Sequence, residues 1–230
     1  MLEFWLSLAV FLGSHMAISR SRLKPFLISR IGKTRYLIAY SALSVILLGW
    51  LIVTAQNAPR LQLWPWEHWL YWIPNILMPF AFILLVAGFV VPNPLSIFSR
   101  AEGFDPEKPS LILSITRHPV LWGFLLWALS HLIPNGEYPL AMMFAVFMIF
   151  SITEMILLDR KKRRDLGDGQ WFEYARLTSA ILCFSQAFLS GKFKTTKQDV
   201  TGIILGLLIY IVFYSLHGYL FGISPTPPPL

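Results

Sequence analysis

Cysteine is nearly absent from the chain: 230 residues contain one, Cys183, and a single thiol closes no internal disulfide. Charge is scarce too, at 13% of residues against 56% hydrophobic, and the mean hydropathy is +0.60. That balance excludes a soluble domain and leaves room for one compact helical membrane domain. Where cations are missing is as informative as how few there are. Of 19 Lys and Arg residues, all but Arg60 lie in three of the segments between apolar runs. Repeats and low-complexity stretches are absent apart from a Pro-rich end at 225–229.

The alternation of cationic and cation-free segments is a membrane topology written in charge. The first basic segment holds Arg20, Arg22, Lys24, Arg30, Lys33 and Arg35, and the second holds Arg100, Lys108 and Arg117. The third covers 160–197 and opens with Arg160, Lys161, Lys162, Arg163 and Arg164. Apolar runs lie at about 1–18, 36–55, 69–91, 118–134, 138–158 and 200–222. Each is near the roughly 17–25 residues that cross a hydrocarbon core of about 30 Å. With the basic segments in the cytoplasm, this predicts an all-α, polytopic integral membrane bundle of six spans with both termini outside. A net charge of +7 on a soluble chain points to nucleic acid. Here the cations sit beside the spans, so the expected partner is the lipid bilayer and not nucleic acid. The first run carries Glu3 in place of a basic start and has no small-residue cleavage site, so it reads as a retained span.

The transmembrane domain is therefore expected over 1–222, with a Pro-rich tail over 223–230. Trp64, Trp66, Trp69, Tyr71 and Trp72 form an interfacial belt on the outer side. The last turn of the 92–117 loop, 111–117, is apolar enough to lie along the interface. The stretch 171–190 is apolar enough to suggest a seventh span, but a crossing there leaves Lys192, Lys194 and Lys197 outside. It is predicted as an interfacial or re-entrant helix on the cytoplasmic side.

Four of the five histidines, His15, His118, His131 and His217, fall inside or at the ends of predicted spans. A polar ring at membrane depth is costly and marks function by default. His15 lies just before Arg20 and His118 directly after Arg117, toward the cytoplasm; His131 precedes Pro134 and His217 sits late in the last span, both toward the outer side. His118 and His131 are about 20 Å apart along their helix, so one iron cannot take both. Imidazoles meeting at one depth in a helical bundle are what b-type haem needs for its axial ligands. Trp127 and Ala128 lie on the face of His131, and Phe213 and Tyr214 on that of His217. No Cys-x-x-Cys-His occurs, so covalent c-type attachment is excluded. Arg117 supplies a permanently charged fork suited to a carboxylate or phosphate beside His118.

Gly13-Ser14-His15, Thr116-Arg117-His118-Pro119 with Leu121-Trp122-Gly123, and Trp127-Ala128-Leu129-Ser130-His131-Leu132 ending at Asn135-Gly136 together resemble the NnrU family. So do Asp159-Arg160, Thr178-Ser179 and the closing Leu216-His217-Gly218-Tyr219-Leu220-Phe221-Gly222. The resemblance covers nearly the whole chain. It implies a bacterial inner (plasma) membrane and a role linked to denitrification and nitric oxide. The same domain forms the core of the plant and cyanobacterial 15-cis-zeta-carotene isomerase, which carries haem b on histidines. That implies haem b as cofactor and an apolar, lipid-like polyene as a candidate substrate. The positions matching that enzyme's ligands are His15 and His131, whereas depth pairs His131 with His217 and His15 with His118. Both assignments stand at this point, so the candidates for haem iron are His131, His217 and His15. Ala128 replaces a cysteine of the isomerase, which removes a sulfur ligand there.

A second class shares one landmark. Isoprenylcysteine and phospholipid methyltransferases also place Arg-His-Pro at the start of a span to hold S-adenosylmethionine, and Gly169, Tyr174 and Arg176 echo their ending. The paired Glu-Glu before that ending is missing, and span five carries the isolated Glu154. A non-catalytic membrane partner protein is the third alternative.

Overall fold

The computed structural model describes residues 1–20 and 23–226, with the backbone alone over 16–20. Arg22 and the tail beyond Thr226 lie outside the described residues. The helices are α1 (Leu2–Arg20), α2 (Leu23–Ile31), α3 (Lys33–Asn57), α4 (Trp72–Val90), α5 (Leu111–Ile115), α6 (Pro119–Leu132), α7 (Tyr138–Leu166), α8 (Asp168–Ala175), α9 (Gln186–Ser190) and α10 (Lys197–Phe221). A 3-10 turn, His68–Tyr71, leads into α4. Among the described residues there is no strand, only two isolated bridges, Gln62 with Glu137 and Ser110 with Lys194.

Among the described residues, four helical segments are long and apolar enough to cross a membrane: Lys33–Asn57, His68–Val90, Tyr138–Leu166 and Lys197–Phe221. Leu2–His15 and Pro119–Leu132 are apolar but shorter. The 14 residues of α6 reach about 21 Å at 1.5 Å per residue. Local chemistry sets both of its ends. Thr116 and His118 are non-helical, Pro119 opens the helix where its missing N–H costs nothing, and Pro134 lies just past the close.

The chain divides into two compact units, Met1–Pro65 with Asn135–Met143, and Trp66–Pro134 with the described residues from Phe144 onward. In the first, α1 packs on α3. Ser7 and Thr54, both buried, share a hydrogen bond of 2.6 Å across that contact. Gly32, at φ 84°, turns the chain between α2 and α3, a backbone state that favours glycine.

In the second unit α4 packs against both α6 and α10. Close approach explains the glycines there. A Cβ on Gly123 of α6 would lie 2.8 Å from the Ala81 carbonyl oxygen of α4, and one on Gly206 of α10 would lie 2.7 Å from Ile83 Cα. Gly202 and Gly206 form a Gly-x-x-x-Gly face of the kind that brings membrane helices together. Gly206→Leu is expected to push α10 off α4, lowering stability by about 1–3 kcal/mol. A drop in the unfolding temperature of the detergent-purified protein checks this; an unchanged temperature shows that the helices yield. Helix α7 joins through Met155, packed with Leu121 and Leu125 of α6.

Two expectations change here. The 111–117 turn does not lie along a surface: Ile112, Leu113 and Ser114 of α5 are buried, with Ala87 and Val91 packed on Ile112 and Leu113. Every early N–H of α5 finds an acceptor, Leu111 on Lys194 O (2.9 Å), Ile112 on Asp199 Oδ1 (3.1 Å), Leu113 on Ser110 Oγ (3.4 Å) and Ser114 on Ser110 O (2.8 Å). Asp199 is fully buried and also accepts from the Thr196 N–H and hydroxyl, capping its own helix α10. Asp199→Ala is expected to cost about 1–3 kcal/mol for each N–H it strands. Urea unfolding in detergent measures it, and a loss below that of an ordinary surface substitution contradicts the role.

The second change concerns 171–190, expected as one helix. It forms α8 and the short α9 with irregular backbone between them. Backbone groups of Ser179, Ala180 and Cys183 bond to residues 115–122 instead of to their own i−4 neighbours, as the site below details.

Candidate functional site

The second unit holds two polar clusters, one at each end of α6. The first is built around Arg117 and His118, just before that helix. Arg117 donates from Nε to both oxygens of Asp159 at 3.1 Å and from Nη2 to Oδ2 at 2.5 Å. The planar fork of a guanidinium matches a carboxylate in this way. Both side chains are largely covered, at 13% and 18% exposure. His118 is fully enclosed, with Nε2 3.0 Å from Asp159 Oδ1, off the direction of a good hydrogen bond. Its Nδ1 has no hydrogen-bond partner among the described residues.

Around this ion cluster the backbone is tied down. The Arg117 N–H donates to Ser179 O at 2.8 Å, and Asn93 Nδ2 donates to Arg117 O at 2.8 Å. Trp122 Nε1 donates to Ala180 O at 2.7 Å. Trp171 of α8 lies under the Arg117 guanidinium at 5.6 Å and that of Arg163 at 5.8 Å, a cation–π arrangement. Lys162, buried, donates to Pro94 O at 2.9 Å. In the neighbouring loop, the hydrogen bond from Lys194 holds the Asp105 carboxyl below the usual carboxylate range.

The second cluster is at the far end of α6. His131 and His217, on α6 and α10, lie with ring centres 6.5 Å apart and planes 25° from parallel. His131 Nδ1 is 2.9 Å from Trp127 O, and His217 Nδ1 is 2.7 Å from Ile223 O. A carbonyl oxygen only accepts, so each Nδ1 carries a proton, and in the neutral form of either ring the lone pair is on Nε2. A backbone carbonyl holding the second nitrogen is how ligating histidines are oriented and made more basic. Trp127 and Phe144 enclose His131 at 5.9 and 5.2 Å, and Phe221 lies 4.9 Å from His217.

His15 belongs to the first unit. Its Nδ1 donates to Phe11 O at 3.0 Å, and its ring meets Phe11 at 4.3 Å and Tyr40 at 5.6 Å. Ser14 and Ser130 bond alike, each to the carbonyl three residues back. The same Ser-His turn thus occurs on α1 and on α6.

The sequence model of the NnrU family, described as NnrU protein, matches residues 3–225. The chain belongs to the NnrU family. No curated protein and no solved structure matches it. Within this NnrU chain the structure brings His131 to His217, and Arg117 and His118 to Asp159. Sequence reasoning did not pair Asp159 with Arg117, although a carboxylate at the end of an apolar run, directly before five cations, was a usable signal. Trp171 and Asn93 carried none, because an interfacial tryptophan and a loop asparagine are common.

Proposed function

We propose that this NnrU chain is a six-span protein of a bacterial inner membrane that holds haem b between His131 and His217. The observation that carries the reading is the pair of imidazoles 6.5 Å apart, each with Nδ1 bound to a carbonyl and its lone pair on Nε2. Two imidazoles brought together by α6 and α10 are the residues that would hold a haem iron. Among the described residues no three or more His, Cys, Asp or Glu side chains gather as a metal site. Two imidazoles are therefore the donor set on offer, which suits an iron that brings four ring nitrogens of its own. Haem bound there would supply redox-active iron. That fits nitric-oxide-linked redox chemistry or isomerisation of an apolar polyene. His15, whose Nδ1 donates to Phe11 O, is the alternative candidate ligand.

In this reading the three cationic segments face the cytoplasm, both ends of the chain lie outside, and 171–190 sits on the cytoplasmic side. The two short apolar helices, α1 and α6, complete the six spans. The S-adenosylmethionine alternative draws on Arg117 and His118, and Asp159 already takes the Arg117 fork that the cofactor's carboxylate would need.

An absorption spectrum tests the proposal. Protein purified from cells supplied with iron and haem precursor is expected to show low-spin b-type Soret and α bands on dithionite reduction. A colourless, haem-free preparation refutes it. For orientation, a cysteine at Lys108 in a Cys183→Ser background is expected to be shielded from impermeant thiol reagents added to intact cells. Labelling from outside reverses the topology.

A further inference from the structure

The residues between α8 and α9 invert the usual polarity of a loop. Their backbone polar groups turn inward: Ser179 O accepts from the Arg117 N–H, Ala180 O from Trp122 Nε1, and the Cys183 N–H donates to Ile115 O at 2.9 Å. Ser185, buried, donates from Oγ to Ser114 O. Cys183 takes a φ of 59°, a left-handed conformation that side chains seldom adopt, to make this turn. Three apolar side chains meanwhile turn outward: Ile181 and Phe184 of the loop, 59% and 70% exposed, and Leu189 of α9, 72% exposed.

Water rewards the opposite arrangement, with polar groups out and apolar groups in. Irregular backbone at membrane depth is tolerated where protein satisfies its polar groups, and that condition is met here. The loop is bonded to the start of α6 and followed by α10, whose Val200 and Ile204 continue an exposed apolar surface from Lys197 onward. Lys192 and Lys197 flank the loop, placed for anionic headgroups.

We propose that residues 181–189 are immersed at the headgroup–acyl boundary of an anionic leaflet, with the bilayer itself as the loop's partner. This rests on the membrane-spanning reading above and deepens it. Because Ser179 and Ala180 are tied to Arg117 and Trp122, immersion also sets the depth of the Arg117–Asp159–His118 cluster, at headgroup level.

Cys183, the only cysteine and an exposed one, is the probe. A nitroxide attached to it in the full chain, reconstituted in phosphatidylcholine–phosphatidylglycerol vesicles, is expected to collide severalfold more with oxygen than with a water-soluble nickel chelate. Preference for nickel overturns the proposal by showing water. Exclusion of both overturns it by showing protein cover. Leaving out phosphatidylglycerol is expected to weaken the preference for oxygen, and an unchanged ratio overturns the assignment to an anionic surface. A label at Ile211→Cys in a Cys183→Ser background, on the exposed middle of α10, separates the two failures. If Ile211 is immersed and position 183 is not, only this proposal falls. If both are in water, the membrane reading falls with it.

Discussion

Replacing His131 with alanine is expected to abolish the low-spin Soret and α bands of the haem-loaded protein while the chain remains in the membrane. One imidazole contributes little to the insertion of a bundle whose helices are held by α4 and its glycine contacts, but it is half of the proposed axial pair. His217→Ala is expected to act alike, because the two rings lie 6.5 Å apart. His15→Ala is expected to leave the bands in place if this pair ligates iron, and to remove them if His15 is itself a ligand. Adding free imidazole to a His131→Gly variant should restore low-spin bands, an outcome that lost packing alone does not produce. Unchanged spectra in both His131→Ala and His217→Ala refute the pair.

The second large effect lies at the other end of α6. Asp159→Ala strands Arg117 and leaves His118 without its nearest carboxylate in a site where these side chains are 0–18% exposed. Removing one partner of a buried ion pair costs about 3–5 kcal/mol because an uncompensated charge stays behind. Replacing both Arg117 and Asp159 with leucine is expected to recover much of that loss, since apolar residues of similar volume often serve as well. Urea unfolding of Arg117→Leu, Asp159→Leu and the double leucine variant closes the cycle, with a coupling expected in the range of about 1–3 kcal/mol. If Asp159→Ala unfolds within about 0.5 kcal/mol of the parent, as surface substitutions do, the cluster is not structural. Arg117 then serves chiefly as a topology signal.

Composition and charge spacing were enough to read an all-helical membrane chain, six apolar runs and the three cationic segments, and the motifs around the histidines resembled the family. Those are properties of neighbours along the chain: hydropathy sums over about 20 adjacent residues, and cations cluster where a span ends. Family resemblance, being a match along the chain, was legible for the same reason. The histidines were visible as candidates because a polar ring in an apolar run stands out locally.

Which of them meet was decided by tertiary structure. His131 and His217 belong to helices far apart in sequence that both pack on α4, drawn close where Gly123 and Gly206 have no side chain to hold them off. Gly-x-x-x-Gly was present in the sequence, but which helix it faces depends on rotation about the axis, and periodicity leaves that free. Asp159 of α7 reaches Arg117, in the turn before α6, where α7 packs on α6 through Met155. The 171–190 stretch read as a helix because its composition allows one. Residues 115–122 offered its backbone other partners, and a peptide group bonds to whichever donor or acceptor the fold presents. Local sequence thus determined what can enter a membrane, and the packing of small residues decided which polar groups meet inside it.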